Sequence, residues 1–91
     1  MEAKLYVRNL DKSINAEELN MLFAQAGDVL SVDIIRDRAT GESRGFAYIT
    51  MSAQSEADKA ISLLNDYSLR DQSLHVNLAK PRIQRGLGKV H

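Results

Sequence analysis

Polar and apolar residues alternate along KLYVRNL, residues 4–10, which predicts a strand. The period then changes. In DKSINAEELNMLFAQAGDV, Leu19, Leu22 and Phe23 recur at helical spacing, with Met21 and Ala26 beside them. Asn15 has the chemistry of an N-cap, and Glu17 and Glu18 sit in the first turn, where the helix dipole favours acids. Gly27 stands just past the expected end, so the spacing predicts a helix over 16–26. VLSVDIIRD, residues 29–37, is rich in β-branched residues and predicts a second strand. A polar loop, RATGES, leads from it to a third strand, RGFAYITM, residues 44–51. A loop this short makes the two strands antiparallel neighbours. SAQSEADKAISLLND predicts a second helix that buries Ala57, Ala60, Ile61 and Leu64. Ser52 or Ser55 is its expected cap, and Asp58, three residues beyond Ser55, suggests a capping box. SLHVNLA, residues 73–79, alternates again and predicts the fourth strand.

The expected order is βαββαβ. It implies an α+β, ferredoxin-like sandwich: a four-stranded antiparallel sheet with two helices on one face. The other face of such a sheet is open to solvent. Residues 1–80 are expected to form one domain. Residues 81–91, with Pro81, Gly86 and Gly88, are expected to be a flexible basic tail. Fold order alone does not assign a function.

Side chains alternate across a strand, so each strand sorts its residues into two sets. Leu5 and Val7 share one face of the first strand, and Ala47, Ile49 and Met51 share one face of the third. Lys4, Tyr6 and Arg8 take the opposite face of the first strand; Arg44, Phe46, Tyr48 and Thr50 take that of the third. The aliphatic set must face the core, because the other set carries charges. Three of the five aromatic residues are thereby placed on the solvent face beside two arginines. Stability does not call for such a surface. Flat rings stack on bases, and guanidinium groups meet phosphates or stack as well.

The charge balance qualifies this picture. Twelve Lys and Arg against twelve Asp and Glu sum to zero, whereas proteins that hold phosphates usually carry a basic excess. The charges are unevenly spread, however. Residues 11–28 carry four acids and one base, residues 52–66 three acids and one base, and residues 80–91 four bases and no acid. A neutral sum here hides a polarised chain, with its acids on the two helical segments.

RGFAYITM resembles the octamer of the RNA recognition motif: basic, Gly, aromatic, Gly or Ala, aromatic, aliphatic, any residue, aromatic. LYVRNL resembles the family's hexamer on the first strand, and the likeness runs from about Lys4 to Lys80. The compact form is similar to small single-domain RNA-binding proteins of bacteria and chloroplasts. The resemblance implies roles residue by residue. Tyr6 and Tyr48 occupy the places of base-stacking platforms. Phe46 occupies the place that packs between two sugars, and Arg44 that of a phosphate contact. Arg8 lies beside them. Outward residues of the outer strands, Asp33 and Ile35 in the second and His75 and Asn77 in the fourth, are implied neighbours of the bases. Lys80 and Arg82 are implied to help close over the RNA. Three departures stand out: Met51 replaces the final aromatic of the octamer but faces the core, Asp33 puts a negative charge on the binding face, and the neutral total is low for the family, which predicts modest, salt-sensitive affinity.

Other chemistries find little support. There is no cysteine, hence no disulfide, thiol nucleophile or cysteine zinc site. His75 has no second histidine nearby, so no metal is expected. TGESRG lacks the phosphate-loop pattern and its lysine. Glu17 and Glu18 point in different directions on a helix and do not form an acid–base pair. The expectation is a monomeric, cytoplasmic protein that needs no cofactor, catalyses nothing, avoids membranes and binds single-stranded RNA. Single-stranded DNA stays open as a ligand, and a protein-interaction module is the alternative reading.

Overall fold

The computed structural model describes residues 2–79. The expected basic tail, including Lys80 and Arg82, lies outside the described residues. The elements run β1 (Ala3–Arg8), α1 (Ala16–Phe23), β2 (Val29–Arg36), β3 (Ser43–Met51), α2 (Gln54–Leu64), β4 (Ser68–Leu69), β5 (Gln72–Ser73) and β6 (His75–Leu78). β2, β3, β1 and β6 form one antiparallel sheet in that order, and β4 and β5 pair as a separate hairpin. The expected βαββαβ order is present, with a hairpin inserted before its last strand.

Burial explains the arrangement. Leu5, Val7, Ala47, Ile49, Met51 and Val76 are fully buried on one face of the sheet. They form a single cluster with Leu19, Leu22 and Phe23 of α1 and Ala57, Ala60 and Leu64 of α2. Both helices therefore lie on the same side. The alanines of α2 let its backbone come close to the sheet, and Phe23 fills the space at the end of α1. Val32 and Ile34 of β2 pack partly buried against this cluster, so β2 contributes with the same alternation.

Local chemistry sets the ends of the elements. Asn15 caps α1 in a complete capping box: its side chain accepts from the Glu18 N–H at 2.9 Å, and the Glu18 carboxylate accepts from the Asn15 N–H at 3.3 Å. α1 ends at Phe23, three residues before the expected end. The chain tightens there, with Gln25 N–H donating to the Leu22 carbonyl and Ala26 N–H to that of Phe23. Gly27 follows where there is no room for a side chain, since a Cβ would meet Glu56 atoms at 2.4 Å. Glu56 is held there by two donors, the Asp28 N–H and the Ser52 hydroxyl.

Three further expectations about element boundaries need correction. β1 stops at Arg8, because Asn9 takes a left-handed φ of 65° and turns the chain so that the Leu10 N–H donates to Gly45 at 2.8 Å. α2 begins after Ala53, which offers no side-chain cap. Ser55 lies inside the first turn, and Ser52 serves Glu56 instead. The residues ahead of β6 form the β4–β5 hairpin, whose turn residues Arg70 and Asp71 both have positive φ, 53° and 65°. Turns of this kind usually announce themselves with Asn-Gly or Asp-Gly, and here they do not. The hairpin is tied down by the Arg70–Glu18 ion pair at 2.7 Å and by Gln72 and Ser73, which bond Asn9.

Candidate nucleic-acid interface

The strand register turns the outward residues into transverse rows. Asp33 on β2 pairs with Tyr48 on β3, Tyr48 with Tyr6 on β1, and Tyr6 with Asn77 on β6. One row therefore reads Asp33, Tyr48, Tyr6, Asn77 across the whole sheet. Two residues along, Phe46 pairs with Arg8 and Arg8 with His75. Ile35 has no register partner, because it lies at the shift between Ile34 and Arg36. In the other direction Lys4 pairs with Thr50, and Thr50 with Ser31. The register thus brings Tyr6, Arg8, Phe46, Tyr48, His75 and Asn77 together on one face, with Ile35 at the irregular end of β2. Arg44 stands exposed on the same strand face, one step beyond Phe46.

The three rings touch. Tyr6 and Tyr48 have centroids 5.2 Å apart with planes tilted by 31°, and Tyr6 meets Phe46 edge-on at 5.9 Å and 62°. All three are half-buried, so each keeps ring surface exposed while its neighbours hold it in place. Cations border the cluster. Lys4 Nζ lies 5.5 Å from the Tyr48 centroid, and the Arg8 guanidinium lies 6.0 Å from that of Tyr6. Lys4, Arg8 and Arg44 have no acid within ion-pair distance among the described residues, so their charges are available to a ligand. Lys4 was not singled out from sequence as a contact, although the alternation that placed Tyr6 outward placed Lys4 there too.

Local structure also accounts for the glycine of the octamer. Gly45 has φ 87°, a left-handed value that costs little only for glycine. A Cβ there would lie 3.3 Å from the Leu10 carbonyl oxygen. Gly45 therefore allows the loop after β1 to lie against the start of β3. Beyond the second row this approach leaves an open cleft of about 810 Å³ lined by Arg8, Asn9, Asp37, Arg44, Gly45 and Phe46 among others. Asp37 at its rim accepts from the Thr40 and Ala39 N–H groups, which hold its carboxyl below the usual carboxylate range. It shapes the loop between β2 and β3 and remains ionised. Among the described residues, no group of three or more His, Asp or Glu stands together in a way that would hold a metal.

The RNA recognition motif model matches residues 5–75. The chain is 48% identical over 84 residues to the chloroplastic 28 kDa ribonucleoprotein of Nicotiana sylvestris, covering 92% of this chain and 30% of that protein. The chain thus spans under a third of that relative's length. Among solved structures, it superposes on the RNA binding protein PG1 with a TM-score of 0.84 at 38% identity, covering 88% of this chain and 96% of that one. It superposes on a Sxl-lethal protein in complex with RNA with a TM-score of 0.80 at 37% identity, covering 85% and 47%. The relatives correct one expectation. The cytoplasmic location expected from sequence is contradicted, because the 28 kDa ribonucleoproteins of Nicotiana sylvestris and Spinacia oleracea and CP31B of Arabidopsis thaliana are chloroplast proteins. With a matching family model over most of its length, the expected strand order and both motifs in place on the open face, this chain belongs to the RNA recognition motif family.

Proposed function

We propose that this chain binds single-stranded RNA across the open face of its sheet. The observation that carries the reading is the contacting cluster of Tyr6, Tyr48 and Phe46, half-buried at the centre of that face and bordered by Lys4 and Arg8. In this reading, Tyr6 and Tyr48 each stack one base, and Phe46 supports the backbone between them. Arg44 holds a phosphate. Arg8, His75 and Asn77 flank the bases along the two rows, Ile35 flanks them from β2, and Lys80 and Arg82, which lie outside the described residues, help to close over the strand. Residues 1–80 act as the binding domain and the following residues as an auxiliary basic segment. The module works as a monomer, holds its ligand without a cofactor and transforms nothing. Stacking is indifferent to the sugar, so single-stranded DNA binds as well, more weakly wherever a 2′-hydroxyl is contacted.

Fluorescence anisotropy with a short randomised single-stranded RNA tests the reading. The native chain should bind, and Phe46→Ala/Tyr48→Ala should lose most of that affinity while staying folded, the stacking ring of Tyr48 alone being worth about 1–3 kcal/mol. Neutralising about three phosphates should give a slope near −2 in log K against log salt. A native chain that does not bind at low salt refutes the proposal.

A further inference from the structure

Asp33 is the one acid in the rows around the rings. It is exposed, and among the described residues it has neither a hydrogen-bond donor nor a cation at ion-pair distance. Its oxygens are therefore free to accept. On a face that meets phosphates, an unpaired carboxylate repels the ligand unless the ligand brings donors to it. The register sets Asp33 directly beside Tyr48, at the end of the first row.

We propose that Asp33 makes this face select guanine for the base stacked on Tyr48. The inference rests on the stacking role given to Tyr48 above. A carboxylate offers two parallel acceptors. Guanine alone among the four bases presents two adjacent donors on its Watson–Crick edge, the ring N1–H and the exocyclic amine, and can bond both oxygens at once. Adenine and cytosine each present one amine beside a ring nitrogen that accepts, so the second carboxylate oxygen faces a lone pair. Uracil presents a single N–H between two carbonyls and fits worst. At the opposite end of the row, the Asn77 amide can both donate and accept, and it imposes no comparable choice on a base over Tyr6.

Anisotropy with alternating RNA octamers tests this: uracil–guanine, uracil–adenine, uracil–cytosine, uracil–inosine and all-uracil. The native chain should bind the guanine octamer about tenfold more tightly than all-uracil, with adenine and cytosine between. Inosine lacks the exocyclic amine and should lose most of the advantage. Asp33→Asn should remove the guanine preference and make inosine and guanine equivalent, while binding all-uracil at least as well as the native chain. If the native chain binds all the octamers alike, or if Asp33→Asn keeps the native ranking, the proposal falls while the stacking reading stands, provided Tyr48→Ala still weakens binding. If the native chain binds none of the octamers, both fall together.

Discussion

The two faces of the sheet are built from the same strands, residue by residue in alternation, yet they solve opposite problems. The inner face carries Leu5, Val7, Ala47, Ile49, Met51 and Val76, all fully buried and all without polar side-chain atoms that would need partners. The outer face carries Tyr6, Phe46 and Tyr48 in contact with one another but only half-buried, with Lys4, Arg8 and Arg44 unpaired by any described acid. Burial stabilises the first set by removing apolar area from water. The second set forgoes part of that gain by leaving ring surface in water. This difference separates what the protein spends on folding from what it keeps for a ligand. Stability and binding should therefore respond to different substitutions, even when the residues are neighbours in sequence.

Three experiments press on that separation beyond the binding tests above. The largest effect is expected from the packed side. Phe23→Ala removes a fully buried ring and should lower unfolding free energy by about 3–5 kcal/mol in chemical denaturation. Phe46→Ala/Tyr48→Ala should lower it by only about 1 kcal/mol through lost cross-strand contacts. Equal losses from the two variants would mean that the outer rings are structural. Next, Asn15→Ala breaks the capping box and should cost about 1 kcal/mol with no change in RNA affinity, since α1 lies behind the sheet. A change in affinity would mean that the helical side communicates with the outer face.

The smallest effect is a pH dependence. The Arg70 guanidinium holds the Glu18 carboxyl below its ordinary value, helped by the Asn15 N–H. A carboxyl whose folded pKa is depressed stabilises the fold above its unfolded pKa, and that contribution disappears as pH falls through the lowered folded value. Thermal unfolding of the native chain and of Glu18→Gln should thus differ by a small constant amount near neutrality and converge in acid. The pair is partly exposed, so the difference should also shrink with salt. Curves that stay parallel into acid would show that this ion pair does not bind the hairpin to α1.

Much of this was legible in the chain itself, for a physical reason. A strand has a side-chain period of two and a helix one of 3.6, so a buried face prints its period on the sequence wherever apolar residues are needed. KLYVRNL and RGFAYITM show the first period, and Leu19, Leu22 and Phe23 show the second. Where no buried face imposes a pattern, the sequence was silent or misleading. The β4–β5 hairpin turns at Arg70 and Asp71 without a glycine, held in place by Glu18 and Asn9 from far along the chain. Likewise Ser52 looked like a helix cap, but its hydroxyl is drawn to Glu56, which also bonds Asp28.

The sequence by itself determined which residues face outwards, because alternation within one strand is a local property that needs no partner. It determined the family too, through two motifs that are contiguous in the chain. Only the tertiary structure decided which outward residues stand side by side. Asp33 and Asn77 lie far from Tyr48 and Tyr6 in sequence, and they meet them only through the pairing of β2 with β3 and of β6 with β1. Cross-strand register is fixed by the packing of the whole inner face, since a slip of one residue would turn every buried side chain outwards. The same core that makes the protein fold therefore sets the order of groups that a ligand meets on the other side.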